Sequence, residues 1–172
     1  MKVSAVVYRA HDPQWAFAPD SGEGARKKGG RFNPEGVAAL YLSMSVWTCG
    51  LEMGHSFENL FSALTLVSYE VDVDDVVDLT SPATRDNARV SLEELACAWR
   101  DDLGKRREPA SWTVARRLMS DGASGILVPS FANRAGPDDV NLVLWHWGAS
   151  PPHRVSPYDP DGRLPRNRDS WA

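Results

Sequence analysis

Apolar positions along this chain recur with two periods, and the switches between them mark its elements. From Val3 to Arg9 the period is two: Val3, Ala5 and Val7 fall on one side, and Ser4, Val6 and Tyr8 on the other, as in a strand. Arg9 and His11 close this strand and read as solvated end residues. Asp12-Pro13 starts a turn, with Trp15 and Phe17 as packing anchors in an irregular segment. A short buried strand follows over Val37–Ser43. Beyond Ser43 or Ser45, either of which can cap a helix, the helical period takes over from Val46 to Phe61. Trp47, Leu51, Phe57, Leu60 and Phe61 supply its apolar face. Strand character returns over Ser62–Val71.

Thr80-Ser81-Pro82 opens a connection. Ser91-Leu92-Glu93-Glu94 has the form of a capping box, and the helix it starts presents Leu92, Leu95, Ala96 and Trp99 on one face. Ser111–Met119 is a second amphipathic helix, stopped near Gly122. Gly125–Ser130 and Asn141–Trp145 read as buried strands joined by the loop Asn133–Asp139. Strands interleaved with helices that can cover them predict one α+β domain over residues 1–149. Its sheet is expected to be central, mixed or mainly antiparallel, with flanking helices. Residues 150–172 hold five of the 12 prolines and are expected either to wrap the same domain as an irregular arm or to stay disordered.

Composition narrows the function. The chain has 172 residues, 24% of them charged, with a net charge of −4. That balance argues against direct nucleic-acid binding, which favours a basic surface. Cys49 and Cys97 match no metal spacing and read as reduced thiols. The carboxylates of Asp72–Asp78 lack the glycine and terminal Glu of an EF-hand loop, and no metal is expected. There is no signal-peptide pattern and no stretch long and apolar enough to span a membrane, which points to the cytoplasm.

The candidate chemistry begins in Gly22–Gly36. This segment holds five of the 13 glycines together with Arg26, Lys27, Lys28 and Arg31. A glycine-rich cationic loop can bring backbone N–H groups and an Arg fork to an anionic ligand, although such a loop is also an ordinary solvated surface. One helix later, Thr48, Glu52, His55 and Ser56 share a polar face, flanked by Gly50 and Gly54. Small residues there suggest close approach to the backbone. Glu52 reads either as an exposed helix carboxylate or as a group aimed at polar partners. Ser130 and Asn141 stand at the ends of apolar strands, where sites often form.

Taken together, Arg31, Tyr41, Glu52, Ser130 and Asn141 resemble the RES domain family. The likeness runs through Tyr8-Arg9, Gly29-Gly30-Arg31-Phe32-Asn33-Pro34-Glu35-Gly36, Ala39-Leu40-Tyr41-Leu42-Ser43, Glu52, Gly125-Ile126-Leu127-Val128-Pro129-Ser130 and Asn141-Leu142-Val143-Leu144. Phe32 stands where many relatives have Trp, and Gly50 where Ala is frequent.

The resemblance implies an ADP-ribosyltransferase-like fold and a toxin of a bacterial toxin–antitoxin pair that consumes NAD. It implies transfer of ADP-ribose to a protein, or NAD breakdown by water or phosphate. It also implies a partner antitoxin with a DNA-binding region that blocks the cleft. On this likeness Glu52 would stabilise developing positive charge and Arg31 would hold a phosphate. Tyr41 would stack on or orient the nicotinamide ribose, and Ser130 would position the ribose or carboxamide. Asn33, Asn141, Arg26 and His55 are further candidates for contact with NAD. A non-catalytic nucleotide-binding module is the alternative from another class, and it predicts NAD binding without turnover.

Overall fold

The structure is a computed structural model, and it describes residues 1–54 and 63–171. Its centre is a seven-stranded sheet: β1 (Val3–His11), β2 (Leu40–Ser43), β3 (Thr65–Val73), β4 (Val76–Asp78), β5 (Gly125–Pro129), β6 (Val140–Leu144) and β7 (His153–Pro157). The spatial order is β4-β5-β6-β2-β1-β3-β7, and among the described strands only β4 and β5 pair in parallel. The sheet is mixed, within a single α+β domain. Parallel neighbours need a long crossover. The one between β4 and β5 carries α3 (Pro82–Ala88), α4 (Leu92–Leu95), α5 (Trp99–Gly104) and α6 (Ala110–Ser120). The remaining described α-helices are α1 (Glu23–Lys28) and α2 (Val46–Met53).

Alternation along the strands divides the core between the two faces of the sheet. Leu142 and Leu144 of β6 join Val7, Leu40, Leu42 and Tyr69 on one face. Val143, with Ile126 and Val128 of β5, joins Phe32, Leu95, Val114 and Leu118 on the other. Burial of these apolar side chains is the main favourable term holding the layers together.

Several boundaries differ from the sequence pattern for identifiable reasons. The cationic segment contains a helix, α1. Gly22 (φ 63°) and Gly29 (φ 67°) frame it in the left-handed region, and its last turn is basic, as the helix dipole favours. The connection after Thr80 is helical, because Ser81 and Thr84 form a reciprocal capping box ahead of Pro82 at N1. The helix begun by Ser91 lasts one turn, and α5 then starts separately at Trp99. Ser45, rather than Ser43, caps α2 by accepting the Thr48 N–H. The part of that helix expected beyond Gly54, with His55, Ser56, Phe57, Leu60 and Phe61, lies outside the described residues. The tail contributes β7, which pairs with β3.

Arg9 and His11 are not solvated strand-end residues. They share the phase of Val3 and Val7, so their side chains point inward. His11 is buried, with Nε2 2.6 Å from the Tyr69 hydroxyl, which itself donates to the Pro19 carbonyl at 2.9 Å. With the Tyr69 proton used there, His11 Nε2 carries the hydrogen and donates it to Tyr69. Burial, helped by nearby Arg9, lowers the His11 pKa to about 4. Arg9 donates to the same Pro19 carbonyl at 3.3 Å.

Candidate active site

The loop between α1 and β2 is built around Asn33 and Tyr41. Asn33 is fully buried, and its amide donates to the carbonyls of Ala25 (2.9 Å), Pro34 (3.3 Å) and Val37 (2.8 Å). Its Oδ1 accepts the Tyr41 hydroxyl at 2.7 Å, and that hydroxyl in turn accepts the Phe32 N–H at 3.0 Å. Burial raises the Tyr41 pKa well above its usual value, keeping the phenol protonated. Three successive carbonyls are then taken by side chains. Trp112 Nε1 donates to Gly30 O at 2.7 Å, Ser111 Oγ to Arg31 O at 2.5 Å, and Trp145 Nε1 to Phe32 O at 2.9 Å. Arg31 sits in the middle of this pinned strip.

The Arg31 guanidinium lies 4.8 Å from the centre of the Phe131 ring. Its Nη1 donates to the carbonyls of Leu95 (3.2 Å) and Cys97 (2.8 Å). Among the described residues its Nε and Nη2 have no hydrogen-bond partner, so those donors remain for a ligand. Burial lowers the Arg31 pKa somewhat, while nearby groups including Glu52 oppose that shift.

Glu52 lies in the last turn of α2. Its Oε1 accepts from Ser130 Oγ at 2.6 Å and from Asn141 Nδ2 at 2.5 Å. Ser130 also accepts the Ala132 N–H at 3.2 Å, and Asn141 Oδ1 accepts from Ser43 Oγ at 2.8 Å. Two donors on one oxygen fix the direction of the side chain. Among the described residues Oε2 has no partner.

Glu52, Arg31, Tyr41 and Asn141 line one cavity of about 520 Å³. That volume lies within the range usual for small-molecule sites, which runs from about 300 to 1,000 Å³. Lys28, Trp99, Arg100 and Phe131 form other parts of its wall. A smaller cavity of about 170 Å³ also reaches Glu52, Tyr41 and Asn141, and it is lined by Tyr8, Arg9 and Cys49.

The candidates read from the sequence thus fall into groups. Arg31, Tyr41, Glu52 and Asn141 line this cleft, and Ser130 joins them through its hydrogen bond to Glu52. Asn33 turns inward and braces the loop. Arg26 faces away and forms a two-point pair with Glu23, at 2.7 and 2.8 Å, while Lys28 at the end of α1 reaches the wall instead. His55 lies outside the described residues. Gly50 faces open space among the described residues, where a Cβ would meet nothing within 4 Å, so no packed neighbour requires a glycine there. Sequence reasoning missed Arg9, Trp99, Arg100 and Phe131. For Arg9 the strand phase carried the signal. For the others, only folding brings distant segments to one wall. Among the described residues no group of His, Cys, Asp or Glu side chains is placed to hold a metal.

Comparison with known families matches residues 6–167 to the RES domain. The chain belongs to the RES domain family. The crystal structure of the M. tuberculosis MbcT–MbcA toxin–antitoxin complex contains a similar chain. The TM-score is 0.60 and the identity 24%, over 92% of this RES protein and 84% of that chain. At this identity the likeness bears on the fold. No curated protein matches the sequence. In this RES domain Arg31 lies on the α1–β2 loop, Glu52 on α2 and Ser130 directly after β5.

Proposed function

We propose that this RES domain protein is the toxin of a toxin–antitoxin pair, and that its cleft binds NAD and breaks the nicotinamide–ribose bond. In this reading ADP-ribose passes to a protein acceptor. The observation that carries it is the Glu52 carboxylate, aimed by Ser130 and Asn141 into a cleft whose wall includes Arg31.

The chemistry suits these groups. Cleavage at the ribose passes through an oxocarbenium-like state, as in glycoside cleavage. Nicotinamide leaves from a cationic ring and needs little acid assistance. A fixed anion beside the ribose is what lowers the barrier. Glu52 Oε2 would accept a ribose hydroxyl and face the developing charge, while Oε1 stays tied to its two donors. Arg31 would hold a phosphate through its remaining donors, as a planar guanidinium does well. The Tyr41 ring would lie beside the nicotinamide ribose. Its hydroxyl is committed to Asn33 and Phe32, so its contribution there would come from the ring.

An antitoxin partner with a DNA-binding region would neutralise the protein by covering the cleft. We place the protein in the cytoplasm; no described helix is long and apolar enough to cross a membrane. A second reading takes water or phosphate as the acceptor. It is favoured by the cavity of about 170 Å³ beside Glu52, which suits a small nucleophile and has Arg9 in its wall.

The test is incubation with labelled NAD and a cell lysate. A labelled protein band supports transfer. Free ADP-ribose or its phosphate supports the second reading. Binding of NAD without consumption would overturn both and leave a nucleotide-binding module.

A further inference from the structure

Thr48 and Asp139 are buried polar residues, one on the helix that carries Glu52 and the other just before the strand that carries Asn141. Thr48 precedes Glu52 by four residues on α2. Asp139 precedes Asn141 by two residues, just ahead of β6. Four helical residues advance about 6.0 Å, and two extended residues advance about 6.6 Å. A helix laid along a strand can therefore make contacts at i, i+4 on one side and at j, j+2 on the other. Here both rungs form. Thr48 Oγ1 donates to Asp139 Oδ1 at 2.7 Å, and Glu52 Oε1 accepts from Asn141 Nδ2 at 2.5 Å.

Asp139 also reaches the third group of the cluster. Its backbone carbonyl accepts the Ser130 N–H at 2.7 Å, at the end of β5. Its second carboxylate oxygen accepts the Gly136 N–H at 2.8 Å, which closes the turn leading into β6. A buried carboxylate is costly unless its lone pairs are met. Asp139 meets them with neutral donors, and among the described residues it has no ion-pair partner. At the other end of the rung, Ser45 both caps α2 and lies 2.8 Å from Thr48 Oγ1. Since the Thr48 proton goes to Asp139, Ser45 donates to Thr48, and the chain of donors runs from the helix cap to the carboxylate.

We infer that Asp139 is a positioning residue for the catalytic carboxylate. Through Thr48 it sets the axial position and rotation of α2, and through its carbonyl it sets Ser130, so that Glu52 and its two donors share one frame. This matters because Glu52 is in the final turn of an eight-residue helix, where direction is least constrained by the helix itself. The kinetic consequence rests on the NAD-cleaving reading above. The mechanical one does not.

The experiment compares Asp139→Ala, Thr48→Val and Thr48→Ser with the wild-type full chain. Steady-state NAD consumption is measured alongside hydrogen exchange at the amides of residues 48–53. Thr48→Val is nearly isosteric and serves if the alanine variant does not fold. The first two variants should lower kcat by about 10- to 100-fold, the usual cost of a displaced catalytic group. KM should stay within about twofold, because the lost interaction acts through the transition state. Exchange at 48–53 should quicken while β1 and β3 keep their protection. Thr48→Ser, which retains the hydroxyl, should restore both readouts. A folded Thr48→Val protein with unchanged kcat would overturn the inference, as would a rise in KM at constant kcat. If the wild-type chain consumes no NAD, the NAD reading fails. The exchange comparison then decides alone, and unchanged protection at 48–53 overturns the inference.

Discussion

Tyr41→Phe removes one oxygen atom and leaves the ring. That oxygen holds two partners: Asn33 Oδ1, to which it donates at 2.7 Å, and the Phe32 N–H, which it accepts at 3.0 Å. Asn33 is fully buried and Phe32 nearly so. Each orphaned buried group costs about 1–3 kcal/mol. Because the loop borders a cleft, water can reach part of the vacated space, and the combined cost should be about 2–4 kcal/mol. For a domain of this length each kcal/mol lowers Tm by about 2–4 °C, so the expected drop is about 4–16 °C. The strip that loosens also carries Arg31, so NAD binding should weaken while the chemical step is largely kept. Calorimetric unfolding measures the first effect and initial rates of NAD loss the second. A Tyr41→Phe protein with wild-type Tm and wild-type KM would show that the hydroxyl does not brace the loop, and the account of Arg31 placement would fall with it.

Other consequences follow from the same geometry. A Cβ on Gly30 would stand 2.5 Å from the Tyr41 hydroxyl and 2.7 Å from Asn33 Oδ1, both already fixed by hydrogen bonds. Gly30→Ala should therefore cost about 1–3 kcal/mol, as overpacking does, and raise KM; urea unfolding and NAD kinetics check this. His11 contributes in the opposite sense to pH. Its folded pKa, about 4, lies below its unfolded value, so folding favours the neutral ring. Its stabilisation is complete above about pH 6.5 and is lost as pH falls, by about 3 kcal/mol at pH 4. In urea unfolding, His11→Gln should flatten that part of the acid dependence. An unchanged slope between pH 6.5 and 4 would remove His11 from the account.

The sheet was legible because alternation survives wherever one face is buried. The strands Gly125–Pro129 and Val140–Leu144 stand within a residue of where their apolar runs place them. Helix α1 was not legible. Its helical character depends on the Glu23–Arg26 pair and on two left-handed glycines, while its composition is that of a loop. The site was legible only in part. Glu52, Ser130 and Asn141 stand out as polar residues beside apolar runs, and the family pattern joins them. Asn33 belongs to the same pattern, yet its amide is consumed inside the loop, which no linear spacing reveals. The inward direction of Arg9 and His11 was written in the strand phase, but the usual exposure of charged residues outweighed it. The pinning of three carbonyls by Ser111, Trp112 and Trp145 joins segments 80 to 113 residues apart and has no local sequence signal.

The central claim is that Glu52 performs NAD cleavage from a preset orientation. Its most direct test is single-turnover NAD cleavage by the wild-type chain and by Glu52→Gln. The amide keeps the size of the side chain and removes its charge. The account predicts a folded variant that still binds NAD, with the cleavage rate reduced by about 100-fold or more, as for loss of a group that stabilises charge in the transition state. A Glu52→Gln protein that is folded and cleaves NAD at the wild-type rate would contradict it.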